Sequence, residues 1–203
     1  MLRTIKVLMY HFNLHWSFYL AIVVVISAGI AIGAIGARAL PPEQLEILST
    51  RISDAFYIVQ SGLDYHSLAY VAITRNLTVI GLILFLGLTV LGLPFIVALL
   101  FFRGFVLGFT ASFLMLTRED GIFIVLLSLV PSSLLFIPAL AITGAIALAF
   151  SLWLIKGRQD SSISLGKALM LYMTVGGATL LIAIIAALLD AYVSPLFLRW
   201  FVL

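Results

Sequence analysis

The chain has 203 residues, of which 64% are hydrophobic and only 9% are charged. An average globular domain is about one quarter charged, so 11 Lys and Arg with 8 Asp and Glu cannot supply the polar exterior of a soluble protein of this length. The net charge of +3 is too thinly spread for a phosphate-tracking patch, and cysteine is absent. The composition excludes a free soluble protein, a disordered chain, a nucleic-acid binder and any disulfide or thiolate metal site. Runs of alternating polarity are lacking, so the predicted fold class is an all-α, polytopic transmembrane helix bundle.

The first predicted element is a transmembrane helix over 16–37, which follows a cytoplasmic, interfacial N-terminus over 1–15. Ala37-Arg38-Ala39 is similar to a signal-peptide cleavage site. The charge-free run 7–37 is longer than the usual apolar region of a signal peptide. We therefore interpret this segment as a membrane anchor.

The next segment, 38–75, carries three Arg and four acidic residues and is predicted to be extracytoplasmic. Within it, Pro41-Pro42 precedes an amphipathic helix expected over about 43–60, which Gly62 ends. One apolar stripe of this helix supplies the candidate partner contacts, which are Leu45, Leu48, Ile52, Phe56 and Val59. The same stripe would equally serve to cover the helix bundle, and both interpretations stay open.

The block 76–155 is long enough for three crossings, or four short ones. Gly92-Leu93-Pro94, Pro131 and Pro138 interrupt it. Proline removes a backbone hydrogen bond that lipid cannot replace, so broken or re-entrant helices are expected in this transmembrane core.

A basic loop over 156–167, a last transmembrane helix over 168–190 and an extracytoplasmic tail over 191–203 complete the chain. Lys and Arg dominate the N-terminus and this loop, which the positive-inside rule assigns to the cytoplasm. Because 38–75 is predicted to lie outside and 156–167 inside, an odd number of crossings must lie between 76 and 155. Three is the natural number, which predicts five crossings in all.

Arg103 is the one charge embedded in the apolar block, and an intramembrane charge is by default a functional hypothesis. We favour the alternative in which its long side chain snorkels to the headgroups from a cytoplasmic turn beside Gly104. Asp190, near the end of the last helix, is interpreted as an interface residue in preference to a proton carrier.

No catalytic, cofactor-binding or metal-binding residue is predicted. His11 and His15 have the spacing of zinc ligands, but no Glu accompanies them in a metalloprotease pattern. The serines of the apolar helices lack a nucleophile motif and a neighbouring activating base. Gly29, Gly33 and Ala37, like Gly104 and Gly108, are four apart, which favours tight helix packing and is compatible with a homo-oligomer.

The order of residues in the middle block is similar to that of a known family. Asn76-Leu77 is expected to open a helix, and Gly92-Leu93-Pro94, Arg103-Gly104, Gly108, Pro131-Ser132-Ser133 and Pro138-Ala139 follow. This pattern resembles the stage II sporulation protein M family. The resemblance assigns Asn76, Gly92, Pro94, Arg103, Gly104, Gly108, Pro131 and Pro138 to helix packing and the family motif. Many wider relatives carry a His and a Glu between the two prolines, where this chain has Ser132, Ser133 and Phe136.

The resemblance implies a non-enzymatic scaffold of the cell membrane, in the septal or engulfing membrane of the mother cell. Such a scaffold holds the peptidoglycan hydrolases stage II sporulation proteins D and P for septal thinning and engulfment. The alternative is a small-solute or ion transporter or channel, for which broken helices are a usual framework. A wide polar cavity within 76–155 would favour transport, and a packed core with an exposed apolar groove would favour a scaffold.

Overall fold

The computed structural model describes residues 16–61, 65–89, 91–155, 165–193 and 195. Within these ranges all regular structure is helical. The α-helices are α1 (Trp16–Arg38), α2 (Pro42–Ser61), α3 (Tyr65–Gly87), α4 (Gly92–Thr117), α5 (Gly121–Ile124), α6 (Val130–Ile155) and α7 (Leu165–Leu188). Two π-helical segments, Val125–Leu129 and Leu189–Val193, connect α5 to α6 and extend α7.

Five stretches of the described chain are long and apolar enough to cross a membrane. They are Phe18–Arg38, Tyr65–Gly87, Gly92–Thr117, Gly121–Ile155 and Leu165–Val193. The prediction of an all-α, polytopic bundle with about five crossings is confirmed. The amphipathic helix expected over 43–60 is also confirmed as α2.

The start of the second crossing differs from the prediction. α3 begins at Tyr65 and not near Asn76, so Arg75 and Asn76 both lie in the middle of a membrane-spanning helix. The prediction was wrong because it treated Arg75 as the end of an apolar run. Arg75 forms an ion pair with Asp190 and its side chain is 52% exposed, so this charge is paired within the span without being buried among the helices.

The expected breaks in the middle block are milder than predicted. α4 runs from Gly92 to Thr117 without interruption, and Pro94 lies in its first turn, where the missing N–H has no helical partner to lose. In the fourth crossing, the π-helical segment Val125–Leu129 precedes Pro131, and Pro138 is accommodated inside α6. The described residues of this block therefore form full crossings, with a π-helical irregularity in place of a re-entrant loop.

Glycine residues allow α1 and α4 to pack closely together, and the contact between these two helices is the most extensive in the bundle. A Cβ atom on Gly104 would meet the Ile26 carbonyl, and one on Gly108 would meet the Ile30 carbonyl. Because both residue numbers rise together, the two helices run parallel. The reciprocal contact is made by Gly33, where a Cβ would meet the backbone of α4. The small residues predicted to give close packing do so here.

α3 and α7 run antiparallel, with the Tyr172 hydroxyl donating to the Leu84 carbonyl at 2.6 Å. The end of the bundle that holds the C-terminus of α1 and the N-terminus of α3 is called the α2 face, and the other end the opposite face. The half next to the opposite face is packed solidly with apolar side chains. The fully buried members include Ile80, Ile83, Ile96, Leu100 and Ala147.

Candidate functional site

A cavity of about 340 Å³ occupies the half of the bundle next to the α2 face. It lies among α3, α4, the fourth crossing and the end of the fifth, beneath Ile52 of α2. Its polar lining residues are Arg75, Asn76, Arg103, Thr110, Ser128, Ser132, Ser133 and Asp190, and its apolar ones are Ile52, Val106, Leu107, Leu114, Ile124, Leu129 and Phe136. The volume falls at the lower end of the range for small-molecule pockets, about 300–1,000 Å³.

Arg103 lies at mid-depth of this bundle, within the unbroken helix α4. With a rise of about 1.5 Å per residue, its Cα lies about 17 Å from Gly92 and about 21 Å from Thr117 along the helix axis. The prediction that Arg103 snorkels from a turn is therefore wrong. Gly104, which suggested that turn, instead provides the contact surface for Ile26 of α1.

The Arg103 guanidinium has two neighbours that accommodate its charge. Its Nη2 donates a hydrogen bond to Asn76 Oδ1 at 3.2 Å, and its Cζ lies 4.6 Å from the centre of the Phe136 ring. A hydrogen bond to a charged group contributes about 1.5–3 kcal/mol and a desolvated cation–π contact about 2 kcal/mol. Together they offset the cost of about 2.5–3.5 kcal/mol for placing Arg at the centre of a membrane helix. No carboxylate of the described residues forms a salt bridge with Arg103.

Asn76 connects three crossings through its side-chain amide. It is only 3% exposed, accepts from Arg103 of α4 and donates through Nδ2 to the Ala183 carbonyl of α7 at 3.4 Å. The prediction placed Asn76 at the beginning of a helix, but it lies in the middle of α3. Its role in this structure is to orient the Arg103 side chain and to link α3 to α7.

Arg75 and Asp190 form an ion pair across α3 and the π-helical end of the fifth crossing. Arg75 Nη2 lies 2.7 Å from Asp190 Oδ2, and both side chains line the cavity. Asp190, which was predicted to be an interface residue, is the ion-pair partner of Arg75. Sequence reasoning missed this pair, although opposite charges within two apolar helices are a recognised sign of intramembrane pairing.

The remaining sequence-predicted residues fall into two groups. Asn76 and Arg103 meet at the cavity, together with Ser132, Ser133 and Phe136, the positions where this chain differs from the wider relatives. The other motif residues do not reach it. Gly92 and Pro94 start α4, Gly104 and Gly108 contact α1, Pro131 lies at the start of α6 and Pro138 within it.

The apolar stripe of α2 is partly occupied by the bundle itself. Ile52 packs against the buried cluster formed by Leu114, Ile124 and Val125. Leu45 and Leu48 are half-buried, whereas Ile47 is 60% exposed. The side chains of Phe56 and Val59 lie outside the described residues, as do His11 and His15. Contact between this stripe and a partner stays a prediction, and Ile52 is already covered by the chain's own helices.

A second feature is an apolar groove on the outer surface of α1, α3 and α4. Its volume is about 860 Å³. The lining residues are Val24, Val25, Ala28, Leu82, Leu86, Pro94, Phe95, Val97, Ala98, Leu99, Phe101 and Phe102. The structure therefore contains both features considered above, a polar cavity and an apolar groove beside a packed core.

Five apolar crossings, close helix contacts through glycine and a short amphipathic helix at one face define a multi-pass α-helical membrane protein. Comparison with known protein families identifies the family of membrane proteins to which the chain belongs. The family described as Stage II sporulation protein M matches residues 21–195, which is most of the chain. The protein belongs to this family, as its motif residues predicted. No curated protein and no solved structure matches the chain.

Proposed function

We propose that the protein is a non-enzymatic membrane scaffold that recruits and positions peptidoglycan hydrolases during septal thinning and engulfment. Its partners would be stage II sporulation proteins D and P, acting at the septal membrane of the mother cell. Membership of the stage II sporulation protein M family supports the sporulation setting. The positive-inside distribution of Lys and Arg supports an extracytoplasmic α2 face, where cell-wall enzymes work.

The observation that carries the proposal is that α2 packs against the bundle through one residue and leaves another apolar residue exposed. Ile52 is the one described α2 residue that packs against a buried core cluster. Ile47 is 60% exposed on the same helix, and the flanking Glu43 and Glu46 are exposed as well. Acidic residues disfavour burial of this helix in an anionic headgroup layer, which attracts basic helices. The exposed part of α2 is therefore better suited to contact with a partner protein than to contact with the lipid headgroups.

Co-purification from mild detergent tests the proposal. Ile47→Ser should reduce recovery of both hydrolases, because it removes an exposed apolar side chain without disturbing a core contact. Ile52→Ser should instead lower the thermal stability of the bundle, since Ile52 packs on it. Thr50→Ser, on the exposed surface of α2, serves as the matched control and should change neither measurement.

The double variant Leu48→Ser with Phe56→Ser extends this test to the predicted apolar stripe. It should release the hydrolases while the membrane bundle stays folded. If this variant and Ile47→Ser both retain the two hydrolases at wild-type levels, α2 is not the docking helix and the proposal fails in this form.

The alternative function, transport of a small solute or ion, is favoured by one observation, the polar cavity around Arg103. The packed half below it opposes a continuous path, because Ile80, Ile83, Ile96 and Leu100 are all fully buried there. Solute flux across proteoliposomes that Arg103→Gln abolishes would establish transport. Recovery of both hydrolases without such flux would support the scaffold.

A further inference from the structure

The bundle contains a cation for which the scaffold role gives no reason. Arg103 has five N–H donors, and one described residue, Asn76, accepts from them. Its Nε is buried and has no hydrogen-bond partner among the described residues. Arg75 and Asp190 cancel each other's charge at 2.7 Å, so the cavity carries a net charge of +1 from Arg103.

Two hydroxyl groups of the cavity are also without partners in the described chain. Thr78, Thr117, Thr143 and Thr174 each donate to the carbonyl four residues earlier, which is how helical hydroxyls are normally satisfied in a membrane. Neither Thr110 nor Ser133 donates to any described residue, although both line the cavity. Two helices that line the cavity, α4 and α6, therefore each present a hydroxyl without a partner among the described residues.

An uncompensated guanidinium with free hydroxyls around it is the donor set that binds an oxyanion. We propose that the cavity between Arg103, Thr110 and Ser133 binds a phosphate monoester, presented either by a lipid headgroup or by a free phosphate ester. This site is independent of the proposed docking of hydrolases on α2.

Phosphate fits the arrangement better than carboxylate does. A carboxylate has two oxygens, which the planar fork of one Arg satisfies by itself. A phosphate has further oxygens, and these would accept from hydroxyls on α4 and α6. The volume of about 340 Å³ exceeds the share of about ten water molecules, at about 30 Å³ each, so the cavity can hold a headgroup. The apolar rim of Leu114, Ile124 and Leu129 suits a phosphate that carries an organic chain.

Binding is measured on the full chain in nanodiscs of phosphatidylcholine, which has no free phosphate monoester. One arm adds glycerol 3-phosphate and follows binding by calorimetry. The other arm adds phosphatidic acid to the nanodiscs and follows lipid retention by native mass spectrometry. Saturable binding in the first arm identifies a free ester as ligand, and binding confined to the second identifies a lipid headgroup. Either result supports the site.

The variants connect binding to the cavity. Arg103→Gln should weaken binding at least about 30-fold, because it removes one partner of a buried charge-assisted contact. Arg103→Lys keeps the charge but loses the fork, and should bind with intermediate affinity. Thr110→Val combined with Ser133→Ala should weaken binding about tenfold through loss of the two hydroxyls. Arg51→Gln, an exposed arginine of α2, is the matched control and should bind like the wild type.

Three outcomes would overturn the proposal. The first is absence of binding in both arms with a folded wild-type protein, which would leave the cavity filled with water. The second is equal binding by wild type and by the Thr110/Ser133 double variant, whose changes are nearly isosteric and should leave the fold intact. The third is displacement of the phosphate probe by acetate at comparable concentration, which would indicate a carboxylate ligand such as an acidic side chain of a partner.

Discussion

Replacement of single glycines by alanine provides a direct test of the α1–α4 contact. Gly108 faces α1 so closely that an added Cβ would meet the Ile30 carbonyl, a backbone atom that cannot move without the helix. Gly177, in the middle of α7, has open space where its Cβ would be. The same chemical change is therefore made once in a tight helix interface and once on a free surface.

The expected magnitudes follow from two opposing terms. Alanine favours a helix over glycine by about 1 kcal/mol, and this gain applies at both positions. Overpacking a tight contact costs about 1–3 kcal/mol, and this cost applies only at Gly108. The difference in free energy of unfolding between Gly108→Ala and Gly177→Ala should therefore be about 1–3 kcal/mol, with Gly177→Ala neutral or stabilising.

Unfolding by titration with denaturing detergent, followed by circular dichroism, measures this difference. Gly81→Ala is a second control, because no atom outside its own helical turn lies within 4 Å of the position that an added Cβ would take. Equal stabilities for Gly108→Ala and the two controls would show that α1 and α4 do not approach through this glycine, and the helix arrangement described above would be refuted.

Three further predictions concern topology and polar contacts. A cysteine introduced at position 50 should react with an impermeant thiol reagent from outside intact cells, and a cysteine in the loop 156–167 should not. The reverse pattern would show that the bundle has the opposite orientation in the membrane. Asp190→Leu should lower the free energy of unfolding by about 0.2–1 kcal/mol, because the half-exposed Arg75 loses its ion-pair partner. Adding Arg75→Leu should recover most of the loss, as a double-mutant cycle would show. Tyr172→Phe should cost about 0.5–1.5 kcal/mol in the same unfolding assay, through loss of its 2.6 Å hydrogen bond to α3, and an unchanged stability would contradict that bond.

Much of the architecture was predictable because the bilayer restricts the choices. A low charge content and long apolar runs leave only helices as spanning elements, and the length of each run fixes the number of crossings. Helix α2 was predictable within one residue at each end, since the prolines before it and its apolar spacing are local features. The family motif was also readable, because it depends on the order of a few Gly and Pro residues along the chain.

The site was not predictable, because it depends on which helices become neighbours. From the sequence, Arg103 is a lone charge beside a glycine, and a turn near the headgroups is the least costly place for it. In the fold, Asn76 and Phe136 contact the Arg103 guanidinium from two other crossings. These contacts offset the cost of placing its charge in the middle of the bundle.

The same reason explains the pair formed by Arg75 and Asp190, which are 115 residues apart in the chain. Each residue taken alone marks the end of an apolar segment, and only the antiparallel packing of α3 and α7 brings them within 2.7 Å. Hydropathy along the chain thus determines that this protein spans a membrane and how often it does so. The tertiary structure alone decides where its charges lie, since the cost of a buried charge depends on partners supplied by distant parts of the chain.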